Sequence, residues 1–191
     1  MSTPLHLVIF GRQGAGKGTQ SVNIAETFGC VHVSTGDMLR AAVKAGTPVG
    51  KKAKAVMDAG ELVSDEIVIG IAEERLSEPD AQKGFLLDGF PRTLAQAEAL
   101  DQMLTQLGAP LECCLALTVD EEAVVDRLLK RAEIEGRADD NEETIRERMS
   151  VYREQTAPLL DYYERAGKLL SVDGMGDVDA ITQRIEEALQ S

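Results

Sequence analysis

The residues best suited to chemistry lie in the segment Gly11–Thr19, where four glycines and Lys17 follow the apolar run Leu5–Phe10. Glycine lets successive backbone N–H groups turn inward on a phosphate without a clash from Cβ. The dipole of a following helix and the charge of Lys17 strengthen the attraction. The pattern therefore predicts a strand, a phosphate-binding loop and a helix, in that order. An ordinary glycine-rich turn is the plain alternative.

Position 18 narrows the class of phosphate-binding protein. The general motif places Ser or Thr directly after the lysine, where its hydroxyl holds Mg²⁺. Here Gly18 follows Lys17, and Thr19 comes one residue later. A switch-type or hydrolytic nucleotide-binding protein would lose a metal ligand by this change. Gly18 therefore argues against both classes.

A second segment whose residues could take part in chemistry is Asp88–Arg92, directly after the apolar residues Phe85–Leu87. An acid at the end of a strand near a phosphate loop commonly holds Mg²⁺ or its waters. Gly89 and Pro91 shape a tight turn, and Arg92 leaves that turn near the start of a helix. A buried aspartate that caps the helix is the alternative.

Arg40 stands near the first turn of a predicted helix, where the helix dipole disfavours a cation. The hydroxyls of Ser34 and Thr35, or the carboxylate of Asp37, can cap this helix. Arg40 is then either a mobile surface side chain or a phosphate ligand, and the residues alone leave both open. The segment Gly60–Asp65 is typical of a loop that ends in a helix cap, and by itself it has no functional weight.

Arginines are concentrated in one part of the chain. Of the twelve arginines, five lie within residues 127–148, namely Arg127, Arg131, Arg137, Arg146 and Arg148. Arginine binds phosphate oxygens through a planar fork and stays charged, so the concentration favours a target with several phosphates. A solvated, charged helix is the alternative, since charge runs usually have that meaning.

The wider pattern alternates short apolar runs with longer amphipathic stretches, which predicts an α/β fold with a parallel sheet covered on both faces. The predicted strands are Leu5–Phe10, Val31–Ser34, Phe85–Asp88, Cys113–Val119 and Leu169–Val172. The predicted helices are Lys17–Phe28, Asp37–Ala45, Val49–Ala59, Asp65–Leu76, Thr93–Leu107, Glu121–Glu133, Asn141–Ala166 and Val178–Leu189. Residues 35–64 form a helical insertion, and residues 132–138 form a short polar excursion between two helices.

Composition excludes several classes of function. The chain has 191 residues, 43% of them hydrophobic, and a formal net charge of −13, which disfavours bulk attraction to nucleic acid. Its three cysteines, Cys30, Cys113 and Cys114, suggest neither a disulfide framework nor a metal clamp. No apolar run approaches the length of a transmembrane helix, and the start lacks a secretory signal pattern. We therefore expect a cytoplasmic protein that binds neither nucleic acid nor membrane.

Together the motifs resemble the adenylate kinase family, one of the nucleoside monophosphate kinases. The blocks Gly-Ala-Gly-Lys-Gly-Thr, Ser-Thr-Gly-Asp, Gly-Glu-Leu-Val, Asp-Gly-Phe-Pro-Arg and Gly-Arg-Ala-Asp-Asp occur in the family's order and spacing. The chain departs from the family at Gln13, where proline is usual. The resemblance implies the P-loop nucleoside monophosphate kinase fold over a single domain, residues 1–191, with a five-stranded parallel sheet flanked by helices. Residues 35–64 would bind the monophosphate, and residues 131–141 would form a short lid without structural zinc.

The resemblance also implies roles for individual residues. ATP would be bound by Gly14, Ala15, Gly16, Lys17, Gly18, Thr19, Arg127, Arg131 and Gly176. AMP would be bound by Thr35, Arg40, Glu61, Leu62, Val63, Gly89, Phe90, Pro91, Arg92, Gln96, Arg137 and Arg148. Catalysis would rest on Lys17, Arg92, Arg127, Arg131, Arg137, Arg148 and Asp88. Asp88 would orient Mg²⁺ through water, and Asp139 and Asp140 would help to close the lid.

The implied reaction is MgATP + AMP ⇌ 2 ADP, with ATP, AMP and ADP as partners, Mg²⁺ as cofactor and a monomer as the working form. The nearest alternative is a UMP/CMP kinase. Those relatives tend to have alanine at the position of Thr35 and an asparagine-type residue at that of Gln96, so both residues favour AMP. A non-catalytic nucleotide-binding module is the other alternative, and Lys17, Asp88 and the arginines argue against it.

Overall fold

A computed structural model describes residues 5–11, 16–61, 63–136 and 141–190. The strands within these ranges are β1 (His6–Phe10), β2 (Val31–Ser34), β3 (Phe85–Asp88), β4 (Cys113–Thr118) and β5 (Leu169–Asp173). The helices are α1 (Lys17–Phe28), α2 (Thr35–Ala45), α3 (Pro48–Asp58), α4 (Asp65–Leu76), α5 (Pro79–Gln82), α6 (Leu94–Leu107), α7 (Glu121–Glu135), α8 (Glu142–Arg165) and α9 (Val178–Gln190).

The strands form one five-stranded parallel sheet in the order β2-β3-β1-β4-β5. In the β2–β3 pair Val31 lies opposite Phe85, and Ser34 lies opposite Asp88. Parallel strands end at the same edge of a sheet, and ligands of open α/β sheets bind beyond that edge. The predicted fold class, a five-stranded parallel sheet flanked by helices, is confirmed.

The chain divides into two compact units, each with buried apolar residues. The first unit contains residues up to Val8 and Ala25–Cys113, and the second contains Ile9–Ile24 and the chain from Cys114 onward. The first unit buries strand residues such as Leu86 and Leu87 together with residues of α4 and α6. The second unit buries a cluster between α7 and α8 made by Val124, Val125, Ile145 and Met149.

The predicted helical insertion is present as α2 and α3, which contact each other and α4. Thr47 caps α3 through a hydrogen bond from the Gly50 N–H to its hydroxyl, and Pro48 occupies the first turn. Gly50 faces the backbone of α2 so closely that a Cβ there would lie 2.1 Å from the carbonyl oxygen of Ala42. The two helices therefore meet through backbone at a point where no side chain fits.

Element boundaries differ from the predicted ones by a few residues, and one helix was not predicted. Helix α7 continues to Glu135 and ends at Gly136, whose φ of +66° gives the left-handed conformation of a helix cap. The first half of the predicted lid is therefore helical. Helix α5 was missed because four residues show no periodicity.

Cys113 and Cys114 belong to β4, as predicted, and Cys30 directly precedes β2. Cys30 and Cys114 are buried, and Cys113 is half-buried. Burial, and secondarily the charge of Glu112, raises the pKa of the Cys113 thiol to about 12, and burial also raises that of Cys30. The thiols of Cys30 and Cys113 therefore remain protonated at neutral pH, and the thiol form is the weaker nucleophile.

The described ranges contain neither a helix suited to a membrane nor a cluster of metal ligands. No helix among these residues is both long and apolar enough to cross a membrane. In the same part of the chain, no group of three or more His, Cys, Asp or Glu side chains could hold a metal ion.

The close approach at Gly50 generates a test of the insertion. Gly50→Ala is expected to destabilise the protein by at least about 2 kcal/mol, because the new methyl group overlaps the backbone of α2. Equilibrium unfolding in urea measures this loss. Lys52→Ala, an exposed change on the same helix, is the control and should stay within about 0.5 kcal/mol of the wild type. Equal midpoints for Gly50→Ala and the wild type would contradict the packing described.

Candidate active site

The phosphate-loop end of the second unit begins at Gly16, which adopts a φ of +80°. Its carbonyl oxygen accepts a hydrogen bond from the N–H of Gln20 at 3.0 Å, so the first turn of α1 starts directly at the loop. A Cβ added at Gly16 or Gly18 would meet nothing within 4 Å, which leaves open space over this backbone. The predicted loop residues Gly14 and Ala15, and Gln13 beside them, lie outside the described residues.

Lys17 extends back toward the end of β1. A Cβ at Gly11 would lie 3.1 Å from the Cβ of Lys17 and 3.5 Å from its Cδ, so the lysine stem runs along the glycine backbone. Any larger residue at position 11 would press on that stem. The glycine at 11 thus leaves room for the stem of Lys17 beside the end of β1.

The turn that contains Gly176 is held in place by a side chain that sequence reasoning missed. Arg184 on α9 donates hydrogen bonds to the carbonyl oxygens of Asp173 and Met175. Gly176 adopts a φ of +118°, and a Cβ there would lie 3.5 Å from the Arg184 guanidinium. From α1, Gln20 donates to the carbonyl oxygen of Val178 at 3.2 Å.

The described arginines of the cluster lie on α7 and α8. Arg127 and Arg131 are exposed on α7, and Arg148 is exposed on α8. Arg131 donates to Glu135 one turn later, at 3.3 Å. Arg146 donates two hydrogen bonds to Glu122, at 2.9 and 2.8 Å, and one to Glu142 at 3.0 Å.

Arg146 therefore joins α7 to α8. Its hydrogen bonds, first with Glu122 and then with Glu142, raise its pKa, and the same partnership lowers the pKa of Glu122. The charge of Arg146 is already balanced by two carboxylates, so it does not share the phosphate-binding prediction made for the cluster. Arg137, Asp139 and Asp140 lie outside the described residues.

In the first unit, the carbonyl oxygen of Gly89 brings two predicted site residues together. It accepts hydrogen bonds from the hydroxyl of Thr35 at 2.7 Å and from Nε of Arg92 at 2.8 Å. Gly89 has a φ of +84°, and a Cβ there would lie 3.1 Å from the Thr35 hydroxyl. Phe90 and Pro91 are buried behind this turn, and the peptide bond that joins them is cis. The exposed guanidinium of Arg92 is thereby held over the start of α2.

Asp88, the last residue of β3, contacts a histidine on the neighbouring strand. Nε2 of His32 lies 3.2 Å from a carboxylate oxygen of Asp88. The Asp88 side chain is 14% exposed, so it keeps some access to solvent. A single carboxylate with access to solvent suits Mg²⁺, which keeps most of its waters and takes few protein ligands.

Arg40 is folded back on the first turn of its own helix. It forms an ion pair with Asp37, and its guanidinium lies against Gly36. The hydrogen bond from Ser34, followed by that from Arg40, lowers the pKa of the Asp37 carboxyl. Ser34 also caps α2 by accepting from the Asp37 N–H at 3.2 Å. Arg40 is thus paired with a carboxylate of its own helix.

The remaining residues predicted to bind AMP lie just before α4 and in the first turn of α6. Glu61 is exposed and Val63 is half-buried, while Leu62 lies outside the described residues. Gln96 is buried, with its amide oxygen accepting from the Arg92 N–H and its amide nitrogen donating to Asp65, both at 2.8 Å. Asp65 had been given no role from the sequence, because nothing in its spacing points to Gln96.

The two groups of predicted residues fall in different units. Residues expected to bind AMP, from Thr35 to Gln96, belong to the first unit, and those expected to bind ATP belong to the second. Of the residues expected on the AMP side, Arg148 belongs to the second unit.

Comparison with known proteins identifies the family. The adenylate kinase family model matches residues 9–168. The chain belongs to the adenylate kinase family. An adenylate kinase of Thermobifida fusca (strain YX) is 54% identical over 187 residues, covering 98% of this chain and 99% of its own length.

Further members of the adenylate kinase family show the same full-length similarity. Adenylate kinases of Stenotrophomonas maltophilia (strain R551-3) and Xanthomonas euvesicatoria pv. vesicatoria (strain 85-10) are each 50% identical, over 186 and 185 residues. Each comparison covers 97% of this chain and 100% or 99% of the relative. The chain is therefore an enzyme of this family, and the UMP/CMP kinase alternative is not favoured.

Arg146, which joins α7 to α8, and Arg127, which the family resemblance assigns to ATP, make a testable contrast. Arg146→Ala is expected to leave turnover near that of the wild type and to change stability little, since its partners are exposed. Arg127→Ala is expected to lower kcat/KM roughly 10³-fold, if the exposed arginine neutralises phosphate as arginine fingers do. Steady-state kinetics and thermal unfolding of both variants measure the difference. A loss of turnover in Arg146→Ala as large as that in Arg127→Ala would refute this contrast.

Proposed function

We propose that the protein catalyses reversible transfer of a phosphoryl group from MgATP to AMP, giving two ADP. The observation that carries the assignment of residues is the convergence of Thr35 and Arg92 on the carbonyl oxygen of Gly89. The two hydrogen bonds hold the guanidinium of Arg92 near the hydroxyl of Thr35 at the carboxyl end of β3. A nucleotide phosphate bound there would contact both groups.

The donor nucleotide is assigned to the second unit. The N–H groups at the start of α1, together with those of Gly14 and Ala15, would bind the ATP phosphates, and Lys17 would contact the terminal ones. Arg127 and Arg131 would add charge neutralisation from α7. The backbone at Gly176, held by Arg184, would approach the adenine of ATP.

The acceptor nucleotide is assigned to the first unit. Arg92 would bind the AMP phosphate through its planar fork, and Arg40 would join it after exchanging its pair with Asp37. Thr35 and the backbone of Glu61, Leu62 and Val63 would line the nucleoside, with Gly89, Phe90 and Pro91 forming the turn behind it. The amide of Gln96 would recognise the adenine.

The chemical step needs no nucleophilic side chain. An oxygen of the AMP phosphate forms a bond to the γ-phosphorus of ATP, and the bond from that phosphorus to the bridging oxygen breaks, so that ADP leaves. Charge on the transferring group is spread over its oxygens, so positioning and neutralisation account for the acceleration. Arg137 and Arg148 would contact the transferring group and the AMP side.

Asp88 would hold Mg²⁺ through water. When bound, the ion would neutralise negative charge on the phosphates of the donor. The carboxylate of Asp88, beside His32, would orient the waters of the ion. Thr19, one residue beyond the usual metal-ligating position, is exposed at the start of α1.

Water must be kept from the γ-phosphate, or ATP would be hydrolysed. Residues 131–141 would form the lid that excludes it, with Asp139 and Asp140 helping to hold the lid closed. Residues 35–64 would close over AMP. A monomer in the cytoplasm, with no structural zinc, no nucleic acid and no membrane partner, completes the proposal.

The decisive experiment measures ADP formation from ATP and AMP, supplied separately and together, with and without Mg²⁺. Strong ADP production that requires both nucleotides and Mg²⁺ is the expected result. Slow release of ADP from ATP alone, unaffected by AMP, would mean that the arginines serve hydrolysis or another acceptor.

Arg92 provides the sharpest mutational test of the acceptor side. Arg92→Ala is expected to lower kcat/KM for AMP roughly 10³-fold with little loss of stability, because the exposed guanidinium neutralises phosphate. Arg137→Ala should show a loss of similar size. Arg92→Lys keeps the charge but not the planar fork, so it should recover only part of the rate.

Arg165→Ala is the control for these variants, since Arg165 is 81% exposed on α8 and pairs with Asp161. It should keep the rate of the wild type. Near-normal turnover in Arg92→Ala would overturn the assignment of the AMP phosphate to Arg92.

A further inference from the structure

Gln96 occupies an unusual position for a residue that would recognise a base, because its side chain folds back into the protein. It is the third residue of α6 and only 5% exposed. Its backbone N–H donates to the hydroxyl of Thr93, which caps the helix, at 3.2 Å. Its amide oxygen accepts from the N–H of Arg92 at 2.8 Å.

The other end of the Gln96 amide is bound by Asp65, the first residue of α4. Nε2 of Gln96 donates to Oδ1 of Asp65 at 2.8 Å, and the Thr93 hydroxyl donates to Oδ2 at 3.2 Å. Asp65 thus uses both carboxylate oxygens to connect the starts of α4 and α6. The Thr93 hydroxyl accepts one hydrogen bond and donates another, which is its full donor capacity.

These partners give the amide a single orientation. An amide can exchange its oxygen and nitrogen by a half-turn with almost no change in shape. Here the half-turn would place the NH₂ group against the N–H of Arg92, donor against donor. It would also place the carbonyl oxygen against the Asp65 carboxylate, acceptor against acceptor. Because a peptide N–H only donates and an ionised carboxylate only accepts, the observed orientation is the one that both neighbours permit.

We propose that Asp65 is a specificity-determining positioning residue, which selects adenine over 6-oxopurines by fixing the orientation of the Gln96 amide. The inference rests on the proposed function, in which Gln96 faces the acceptor base. An amide has two N–H groups and two oxygen lone pairs, and the network uses one of each. One donor and one acceptor remain, at positions that cannot be exchanged.

The unused N–H donor and the unused oxygen acceptor of the Gln96 amide match the edge of adenine. Adenine offers an exocyclic amino group beside a ring nitrogen that accepts, whereas hypoxanthine and guanine offer a carbonyl oxygen beside a ring N–H. An amide that could turn freely would form hydrogen bonds with the edge of adenine or with that of a 6-oxopurine. An amide fixed in one orientation forms them only with adenine. Among substrates of similar size, an enzyme discriminates most strongly against one that leaves a polar group of its site without a hydrogen bond.

AMP and IMP are the best pair for the test, because they differ only at this edge. The measurement is kcat/KM for each acceptor at saturating ATP, together with KM for ATP and the midpoint of thermal unfolding. Asp65→Ala is expected to lower the ratio of the two kcat/KM values, AMP over IMP, by about tenfold, the effect of one charged hydrogen bond. The change should arise mainly in KM for AMP, with KM for ATP unaltered.

Glu66→Ala is the matched control. Glu66 carries the same charge in the same first turn of α4, so its loss has the same effect on the helix dipole. Its AMP-to-IMP ratio should equal that of the wild type. Asp65→Asn serves as a second variant in case Asp65→Ala does not fold. The amide introduced by Asp65→Asn can present either an acceptor or a donor to Gln96, so we expect the ratio of kcat/KM for AMP over IMP to fall several-fold.

An unchanged ratio in the folded Asp65 variants, with stability lowered, would overturn the inference and leave Asp65 as a structural connection between two helices. Failure of the proposed function gives a different result. In that case the wild type itself would form no ADP from ATP and AMP, whereas failure of the inference alone leaves wild-type activity intact.

Discussion

One carbonyl oxygen organises the acceptor side of this enzyme. Gly89 accepts from the Thr35 hydroxyl and from Arg92, and so joins the start of α2, the end of β3 and the segment that leads into α6. Both hydrogen bonds require Gly89 to adopt a positive φ and to lack a side chain. The Arg92 cation, which we propose binds the AMP phosphate, is therefore positioned by backbone geometry, and backbone geometry is the least adjustable part of a protein.

Charge sets the second constraint. A chain with a net charge of −13 repels nucleotides at long range, so its cations must be concentrated where the phosphates bind. Proximity in sequence does not show which cations those are. Arg146 lies within the arginine-rich segment, yet its charge is balanced by Glu122 and Glu142. The number of arginines in a segment therefore overstates the charge available to a ligand.

The predictable part of the structure is the part encoded locally. Apolar runs located all five strands, and glycine spacing located the start of α1, because each signal lies within a few neighbouring residues. The pairing of Asp65 with Gln96 spans 31 positions, and that of Arg146 with Glu122 spans 24, so no local pattern records either. Gln96 was predicted from family resemblance, but the carboxylate that orients it had no signal in a single sequence. The end of α7 could not be predicted for a similar reason. A glycine such as Gly136 can cap a helix, but the glycine alone does not show that the preceding helix extends as far as that position.

The buried cysteines have a practical consequence. The thiol of Cys113, with a pKa near 12, and the thiols of Cys30 and Cys114, both buried, are shielded from maleimides at neutral pH. Two cysteines introduced on exposed surfaces, one in each unit, would then carry fluorophores or spin labels without removal of the native three. Distances between the parts of the chain assigned to ATP and to AMP become measurable in solution, during turnover, in a protein otherwise unchanged.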